Sequence, residues 1–367
     1  MRVLFVATVQ SHIAQFHLKA IELFRQKGYE VHVAARDNLA EKNGLQLKNV
    51  DQVFDIPFQR SPFSPKNLSA YRQLKEVIQK GDYEIIHCNT PVGGILTRLA
   101  ARKAKGEVIY TAHGFHFYKG APLKNWLIYY QLEKIMARFT DKLITINEED
   151  YYLAKTKFRC SVYRIHGTGI NTEKYRNVSD QEMKELLQKQ ELQNRTIILC
   201  TGELNKNKNQ KTVITAMKSV VQVIPDAVLL LAGNGPEQAA LEQLIFELGL
   251  QEYVRLLGYR TDLQKYVKAA DMIVSASLRE GLGLNILEAM FCRKPVIAAD
   301  NRGHRELIEE NENGYLVKPL DAEGFADKMI YLCQNSEKCT FMGNLGYEKS
   351  VPYWDVNVVK ELASIYW

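Results

Sequence analysis

Two glutamates on either side of a glycine-containing segment have the spacing to bind a long polar ligand. Glu280 and Glu288 enclose the segment GLGLNIL, which follows an apolar run and begins a helical pattern. Eight positions of a helix rise about 12 Å, so the two carboxylates cannot act as a pair on one bond. They can instead bind the opposite ends of an extended molecule.

The residues between these glutamates have the properties of a phosphate site. Gly281 and Gly283 allow a ligand to approach the backbone closely, and the amides of Leu284 and Asn285 lie at the positive end of the helix dipole. A nucleotide sugar has the matching form, since its diphosphate lies between a ribose and a hexose. The alternative is an ordinary helix start, at which the dipole favours Glu280 and Glu288 lies on the surface.

Basic side chains that could act with this segment follow three other predicted strands. Lys208 comes six residues after Gly202, and it could neutralise a diphosphate or be a solvated loop lysine. His113 directly ends a strand, where ligands bind in open α/β sheets, although a structural role is the alternative. His12 follows the first strand and either faces an acceptor or caps the next helix.

Several segments together resemble the retaining glycosyltransferases of family 4. The matching segments are the block Ser277–Val317 with its E-x₇-E pattern, the strand and loop Thr201–Lys208, the turn Gly233–Pro236 and the strand end Tyr110–Gly114. Two further segments, His87–Gly94 and Thr111–Trp126, are similar to members that build capsular polysaccharide or exopolysaccharide. The resemblance covers most of the chain.

The resemblance implies a role for each candidate residue. Glu288 would bind the ribose hydroxyls, Glu280 the donor hexose and Lys208 the diphosphate leaving group, with His113 beside the sugar. The donor site would also include Gly202, Gly281, Gly283, Leu284 and Asn285. One position departs from the family pattern, because Glu203 stands where many members have an arginine that contacts phosphate. This departure leaves the positive charge to Lys208 or Lys206.

The elements that must position these residues alternate between strands and helices along the whole chain. Apolar runs such as Ile197–Leu199 and Val228–Leu231 are typical of strands buried on both faces of a parallel sheet. The pattern predicts an α/β fold of two Rossmann-like, doubly wound domains, and the resemblance implies that they face each other across a cleft (GT-B). The predicted domains are residues 1–170 for the acceptor and 171–350 for the donor. By resemblance, a final helix within 351–367 packs back on the first domain.

Charge is distributed unevenly between the two halves. Residues 1–175 contain 26 Lys/Arg and 16 Asp/Glu, whereas the remainder contains 22 and 26. Lys119, Lys124 and the aromatic, basic segment Pro122–Arg138 lie in the basic half, which favours an anionic partner. We expect a polyprenyl-diphosphate-linked saccharide as acceptor and a peripheral location on the inner face of the cell membrane. Alternatively, the segment is an ordinary amphipathic helix, the basic excess serves solubility, and the acceptor is a free sugar or a small metabolite.

Other classes of protein are disfavoured by what the sequence lacks. The chain has no apolar run of membrane-spanning length, no secretory pattern at its start and no nucleic-acid-binding motif. Its six cysteines are scattered, and no Asp-x-Asp is present to hold a divalent ion, so we expect no metal and no cofactor. The resulting prediction is a cytoplasmic, retaining hexosyltransferase with a nucleoside-diphosphate sugar as donor, UDP being the commonest in the family. The alternatives are a nucleotide-sugar epimerase of similar architecture and a non-catalytic nucleotide-sugar-binding subunit.

Overall fold

Two parallel β-sheets organise the chain, one in each of two compact units. The computed structural model describes residues 1–42 and 45–367. Unit 1 comprises Met1–Gly169 together with Asp355–Trp367, and unit 2 comprises Ile170–Trp354.

The sheet of unit 1 has seven parallel strands in the order β3-β2-β1-β4-β5-β6-β7. The strands are β1 (Arg2–Val9), β2 (Glu30–Arg36), β3 (Gln52–Asp55), β4 (Ile85–Asn89), β5 (Glu107–Ala112), β6 (Lys142–Thr145) and β7 (Ser161–Arg164). The helices that follow them along the chain are α1 (Gln10–Phe16), α2 (Leu18–Gln26), α3 (Asn67–Gly81), α4 (Pro91–Ala101), α5 (Leu123–Asn125), α6 (Gln131–Met136) and α7 (Glu148–Lys157).

The sheet of unit 2 repeats this arrangement with six parallel strands in the order β10-β9-β8-β11-β12-β13. The strands are β8 (Thr196–Thr201), β9 (Ala227–Ala232), β10 (Val254–Gly258), β11 (Met272–Ser275), β12 (Val296–Ala299) and β13 (Gly314–Val317). The helices are α8 (Thr172–Arg176), α9 (Asp180–Lys189), α10 (Gln210–Val223), α11 (Gln238–Glu247), α12 (Leu263–Ala269), α13 (Leu284–Phe291), α14 (Arg302–Arg305), α15 (Ala322–Gln334) and α16 (Ser336–Ser350).

The last helix, α17 (Asp355–Tyr366), belongs to unit 1 and packs on α2. The Tyr366 hydroxyl lies 2.8 Å from Nδ1 of the buried His87, and the ammonium group of Lys142 donates to the Ile365 carbonyl at 2.7 Å. Phe24 of α2 packs edge-on against the ring of Trp367. The chain end therefore completes the core of unit 1.

The apolar strands are buried on both faces, as their sequences predict. All six residues of β9 are buried, as are all six from Val3 to Thr8 of β1. Burial on both faces requires helices above and below each sheet, which the repeated strand–helix connections supply. The prediction of an α/β fold with two doubly wound sheets is confirmed.

Both sheets reverse their winding direction beside their first strand. In unit 1 the reversal lies between β1 and β4, and in unit 2 it lies between β8 and β11. Ligands of open α/β sheets bind at the carboxyl ends of the strands at such a reversal. The segments after β1, β4, β5, β8 and β11 therefore lie where a ligand would bind, and they contain the predicted site residues.

Three local features differ from the sequence-based expectations. The edge strand β3 was not predicted, because QVFD is short and mostly exposed. The amphipathic pattern of Ala14–Lys27 predicts a single helix, whereas the chain forms two helices that meet at His17. The predicted helix Pro122–Arg138 contains a π-helical turn at Trp126–Tyr130, between α5 and α6.

Candidate functional site

The loop after β8 is attached to the segment after β11 by three hydrogen bonds. The Asn207 side chain donates to the Arg279 carbonyl at 3.0 Å, and the Leu278 amide donates to the Asn207 carbonyl at 2.7 Å. The Asn209 side chain donates to the Ala276 carbonyl at 3.2 Å. Asn209 also has a φ of 52°, a left-handed conformation that asparagine tolerates better than most residues. The asparagines of this loop thus fix the position of the lysine between them.

That lysine, Lys208, forms an ion pair with Glu280. Its Nζ lies 2.6 Å from Glu280 Oε1, and both side chains are largely buried. Burial alone would raise the pKa of Glu280, but the charge of Lys208 and its hydrogen bond outweigh burial and hold the pKa below its usual value. Gly202 makes room for the lysine, since a Cβ on Gly202 would lie 3.2 Å from Lys208 Cε.

Gly303 of helix α14 packs closely against Glu280. A Cβ on Gly303 would lie 2.8 Å from the Glu280 Cβ and 2.9 Å from its carbonyl oxygen, so only glycine permits this approach. His304 lies next to Gly303, and its Nδ1 is 2.6 Å from the Ala299 carbonyl, which indicates a proton on Nδ1. Burial lowers the pKa of His304 to about 4, so the ring is neutral near pH 7.

Helix α13 begins at Leu284, four residues after Glu280 of this ion pair. Gly283 is the residue before the helix, and its carbonyl accepts from the amides of Ile286 and Leu287. The amides of Leu284 and Asn285 precede the first intrahelical bond, as in every helix, and are available to an anion. Asn285 Nδ2 is also buried and has no hydrogen-bond partner within the described residues. A lysine and a helix N-terminus thus occur together at the reversal of the sheet in unit 2.

Glu288 lies one turn further along α13 and is partly buried. Burial raises its pKa, and the hydroxyl of Tyr175 and the charge of Lys174 oppose this shift. Tyr175 comes from α8 and is almost fully buried. A ligand that donates hydrogen bonds to Glu288 would stabilise its charged form.

Glu203, the departure from the family pattern, lies apart from this ion pair. Its side chain is exposed and accepts a hydrogen bond from Asn205 Nδ2 at 3.1 Å. Lys206 is exposed as well. Of the two lysines considered for the phosphate, Lys208 is therefore the one that the structure places beside Glu280.

In unit 1 the predicted histidines meet at the carboxyl ends of β1 and β5. His12 Nε2 lies 3.2 Å from His113 Nε2, and His113 Nε2 lies 3.2 Å from Asn89 Oδ1. Burial lowers the pKa of His113 to about 4. Burial, followed by the neighbouring charges of His113 and His87, also lowers the pKa of His12 well below its usual value. Both rings are therefore neutral at pH 7, and each has one ring nitrogen that can accept a hydrogen bond.

The other acceptor-side candidates lie in the segment after β5. Lys119 and Lys124 are exposed, and their described contacts do not include His12 or His113. The aromatic rings of Trp126, Tyr129 and Tyr130 are partly buried against the core of unit 1. The large apolar side chains of Pro122–Arg138 that are exposed are aliphatic: Leu123, Leu127, Ile128 and Ile135.

Two residues beside these sites were not singled out from the sequence. His17 lies against His12 and His113, and Tyr175 lies near Glu288. His304, which lies near Glu280, belongs to the basic segment Arg302–Glu306, for which the sequence leaves open a donor-side contact or a surface loop. A histidine on an apolar helix face and a tyrosine in a short linker helix are both ordinary core residues by pattern. Only the fold brings them to these positions.

Comparisons with known proteins follow the same division into two halves. Residues 2–147 match the family model "Glycosyl transferase 4-like", and residues 182–349 match "Glycosyl transferases group 1". The chain is 45% identical over 371 aligned residues to "Putative glycosyltransferase EpsD" of Bacillus subtilis, covering 100% of this chain and 96% of that protein. The chain belongs to the family 4 glycosyltransferases. A second member, "UDP-Gal:alpha-D-GlcNAc-diphosphoundecaprenol alpha-1,3-galactosyltransferase" of Escherichia coli, is 29% identical over 87% of this chain and 84% of that protein.

Solved structures of this glycosyltransferase fold (GT-B) superimpose over the full chain. Anabaena HepE in complex with UDP and glucose has a TM-score of 0.84 at 22% identity, covering 100% of this chain and 99% of that one. WaaG, a glycosyltransferase of lipopolysaccharide biosynthesis, has a TM-score of 0.78 at 14% identity, with the same coverage of both chains. Within residues 1–42 and 45–367 of the present chain, no helix has both the length and the apolarity needed to cross a bilayer.

Proposed function

We propose that this glycosyltransferase transfers a hexose-type sugar from a UDP-sugar, with retention, to a lipid-linked saccharide in the synthesis of a surface polysaccharide. The observation that carries the proposal is the Lys208–Glu280 ion pair next to the N-terminus of α13. Lys208 and the amides of Leu284 and Asn285 stabilise the negative charge that develops on the departing diphosphate. Glu280 and Glu288 bind hydroxyl groups at the two ends of the donor.

The unit 1 histidines take part in the same reaction in this proposal. His113 is a neutral imidazole whose Nε2 can accept a hydrogen bond or face the positive charge that develops on the anomeric carbon. His12 is its neighbour at 3.2 Å and is assigned to the acceptor. Lys119 and Lys124 are assigned to the acceptor's diphosphate.

The donor assignment is supported by relatives. The Escherichia coli relative is named for UDP-Gal, and HepE has been crystallised with UDP-glucose. A thermal-shift panel of UDP, GDP and their sugars tests the assignment. A nucleotide at 100 times its dissociation constant adds about 2.7 kcal/mol to the stability of the folded protein. We expect UDP to raise the melting temperature more than GDP does, and equal or absent shifts would contradict the UDP assignment.

We further propose that the reaction needs no divalent ion at the diphosphate. Lys208 and the helix amides supply the positive charge that a metal supplies in other phosphoryl sites. The measurement is UDP release by protein treated with EDTA, which we expect to retain full activity. Activity abolished by EDTA and restored by manganese would contradict this part of the proposal.

The acceptor assignment rests on the exposed strip formed by Leu123, Leu127, Ile128 and Ile135 with Lys124, Lys134 and Arg138. Four exposed aliphatic side chains beside three exposed cations fit the boundary between acyl chains and anionic head groups. The Escherichia coli relative is named for a diphosphoundecaprenol acceptor. We therefore propose that unit 1 docks peripherally on the cytoplasmic face of the membrane, where such an acceptor is found.

Sedimentation with anionic vesicles tests the docking. The wild-type protein should bind vesicles at low salt and be released as salt rises, because the Debye length falls to about 8 Å at 0.15 M. Charge reversal at Lys124, Lys134 and Arg138 should abolish binding. The matched control reverses the exposed Lys184, Lys189 and Lys218 of unit 2, which changes the net charge equally and should leave binding intact. If both triple variants lose vesicle binding equally, binding depends on net charge alone, and the assignment of the docking surface to this strip is wrong.

A further inference from the structure

Three histidines of unit 1 converge on one point. The cluster of His12, His17 and His113 has one ring nitrogen from each residue within 4.8 Å of the others. Among the described residues, no other group of three or more His, Cys, Asp or Glu side chains meets this criterion. His12 and His113 have roles in the proposed transfer, but His17 has none there.

One ring nitrogen of His17, Nε2, lacks a hydrogen-bond partner within the described residues. His17 is 4% exposed, and its Nε2 is buried without a hydrogen bond. An unsatisfied buried nitrogen costs about 1–3 kcal/mol, which is why nearly all such atoms in folded proteins are paired. His17 lies 5.3 Å from His12 and 5.7 Å from His113, measured between ring centroids. The ring of His17 therefore belongs to the same cluster as the two site histidines.

Hydrogen bonds can account for two of these rings but not for the third. His113 Nε2 lies 3.2 Å from both His12 Nε2 and Asn89 Oδ1, and Asn89 Nδ2 is buried without a partner among the described residues. Rotation of the Asn89 amide by 180° would bring its NH₂ group to His113 Nε2 as a donor, so His12 and His113 can be satisfied by hydrogen bonds. His17 Nε2 has no such donor or acceptor, whereas a cation would accept a lone pair from one ring nitrogen of each histidine.

The distances suit a tetrahedral metal ion. Zinc binds histidine nitrogen at about 2.0–2.1 Å, so two such ligands of a tetrahedral ion lie about 3.4 Å apart. His12 and His113 already have a separation of 3.2 Å, and the widest pair, at up to 4.8 Å, must close by about 1.5 Å. Neutral imidazole is the form that binds metals, and burial lowers the pKa of all three rings. Magnesium and calcium are disfavoured because they prefer oxygen ligands.

We propose that His12, His17 and His113 bind one transition-metal ion of the zinc class, and that this ion inhibits the transferase. Three protein ligands leave a fourth position for water or another small ligand. The inhibition rests on the proposed function, since the ion occupies the lone pair of His113 that the transfer requires. The ion is bound by residues of unit 1, whereas the groups assigned to the diphosphate belong to unit 2, so the proposal that transfer needs no metal at the diphosphate is unchanged.

Cobalt(II) titration of the full-length, EDTA-treated protein tests the site without using activity. Tetrahedral cobalt absorbs in the visible range, and bound thiolate adds a charge-transfer band. We expect visible absorption that saturates at one cobalt per chain, has no thiolate band and is lost on addition of zinc. No saturable absorption, or a thiolate band from any of the six cysteines, would overturn the proposal.

Substitution of His17 links the ion to inhibition. H17Q should weaken zinc binding at least tenfold and remove inhibition by micromolar zinc, while metal-free H17Q retains acceptor-dependent UDP release. H116Q is the matched control, because His116 lies outside the cluster and stacks near Tyr129. If H17Q is inhibited as strongly as the wild type, or H116Q escapes inhibition equally, the proposal is wrong.

Two further outcomes separate the site from the proposed function. If H17Q does not fold, H12Q replaces it in the cobalt titration, where retention of the full cobalt signal would overturn the site. If cobalt binds as expected but no UDP is released from any UDP-sugar, the transferase proposal fails and the metal site stands.

Discussion

At the scale of single residues, Lys208 carries the chemistry of the proposed donor site. Its ammonium group is held 2.6 Å from Glu280 by a loop whose asparagines bond to the neighbouring segment. A cation fixed in advance stabilises developing charge without reorganisation at the moment of reaction. The contribution of Lys208 to catalysis therefore depends on its fixed position beside Glu280. It does not depend on the overall positive charge of the loop.

Replacement of Lys208 should lower kcat more than it raises KM. K208M removes positive charge from the leaving diphosphate, and loss of one such stabilising group costs about 100- to 1000-fold in kcat. K206M is the matched control, since Lys206 is exposed and only two residues away. The measurement is steady-state UDP release for both variants, and equal rates in K208M and K206M would remove Lys208 from the reaction.

Glu288 should contribute to donor binding rather than to the chemical step. E288A removes a charged acceptor from the proposed ribose hydroxyls, and such a hydrogen bond is worth about 1.5–3 kcal/mol. We expect the dissociation constant for UDP, measured by calorimetry, to rise about 10- to 150-fold. E203A is the control carboxylate, because Glu203 is exposed and bonds to Asn205. UDP affinity unchanged in E288A would place Glu288 outside the site.

The buried histidines of unit 1 predict a loss of stability in acid. Burial lowers the pKa of His87 to about 3 and of His113 to about 4. An unfolded histidine, with a pKa near 6.5, takes up a proton that the folded form refuses, so stability is complete above pH 6.5 and falls as pH decreases toward 4. Each such histidine contributes up to about 1.4 kcal/mol per pH unit in that range.

Melting temperatures between pH 7.5 and 5 check this expectation. The wild-type protein should lose stability as pH falls, and H87Q should lose less than the wild type does. An H87Q pH dependence identical to that of the wild type would show that His87 titrates normally in the folded protein.

At the scale of elements, one buried ion pair fixes helix α6, which carries Lys134 and Ile135 of the exposed strip. Arg98 of α4 is 1% exposed, donates to both carboxylate oxygens of Glu133 in α6, and lies over the Tyr110 ring at 3.9 Å. It also donates to the Gly94 carbonyl at 3.0 Å. The pair therefore joins α6 to β5 and α4, and it sets which face of α6 is exposed.

Removal of one partner of the Arg98–Glu133 pair should lower the stability of the fold more than replacement of both partners by apolar residues. R98M or E133L alone leaves one uncompensated buried charge and should destabilise the protein by about 3–5 kcal/mol. The double variant R98M/E133L should recover most of this loss, since well-packed apolar residues often replace buried ion pairs with little cost. Thermal unfolding measures both effects, and a double variant as unstable as the sum of the singles would contradict the coupling.

Sequence periodicity predicted most elements but not their interruptions. Central strands such as β8 and β9 are apolar on both faces, which leaves little choice for their location. Strand β3 has no such pattern, because an edge strand with one exposed face needs few apolar residues. The break at His17 was missed because the apolar spacing continues across it, and the ring buries its nitrogen among residues distant in the sequence.

At the scale of the whole molecule, both units have the same order of winding of their parallel sheets but different side chains at the point where that order reverses. Both sheets reverse beside their first strand, yet unit 1 places histidines there and unit 2 places Lys208 and the N-terminus of α13. Motif spacing predicted the second set, because glycines and carboxylates at fixed separation have a limited range of uses. His12 and His113 were predicted as site residues, but their convergence with His17 could not be predicted, since the three come from α1, from the junction of α1 and α2, and from the end of β5.

The most direct test of the account is acceptor-dependent release of UDP. The purified protein is incubated with UDP-glucose, UDP-galactose or UDP-N-acetylglucosamine, with and without N-acetylglucosaminyl diphosphoundecaprenol or its disaccharide homologues. We predict that one donor releases UDP only when a lipid-linked acceptor is present, and that the product gains one sugar with the anomeric configuration of the donor. Conversion of the UDP-sugar to its epimer without UDP release, or no UDP release with any donor and acceptor, would contradict the account.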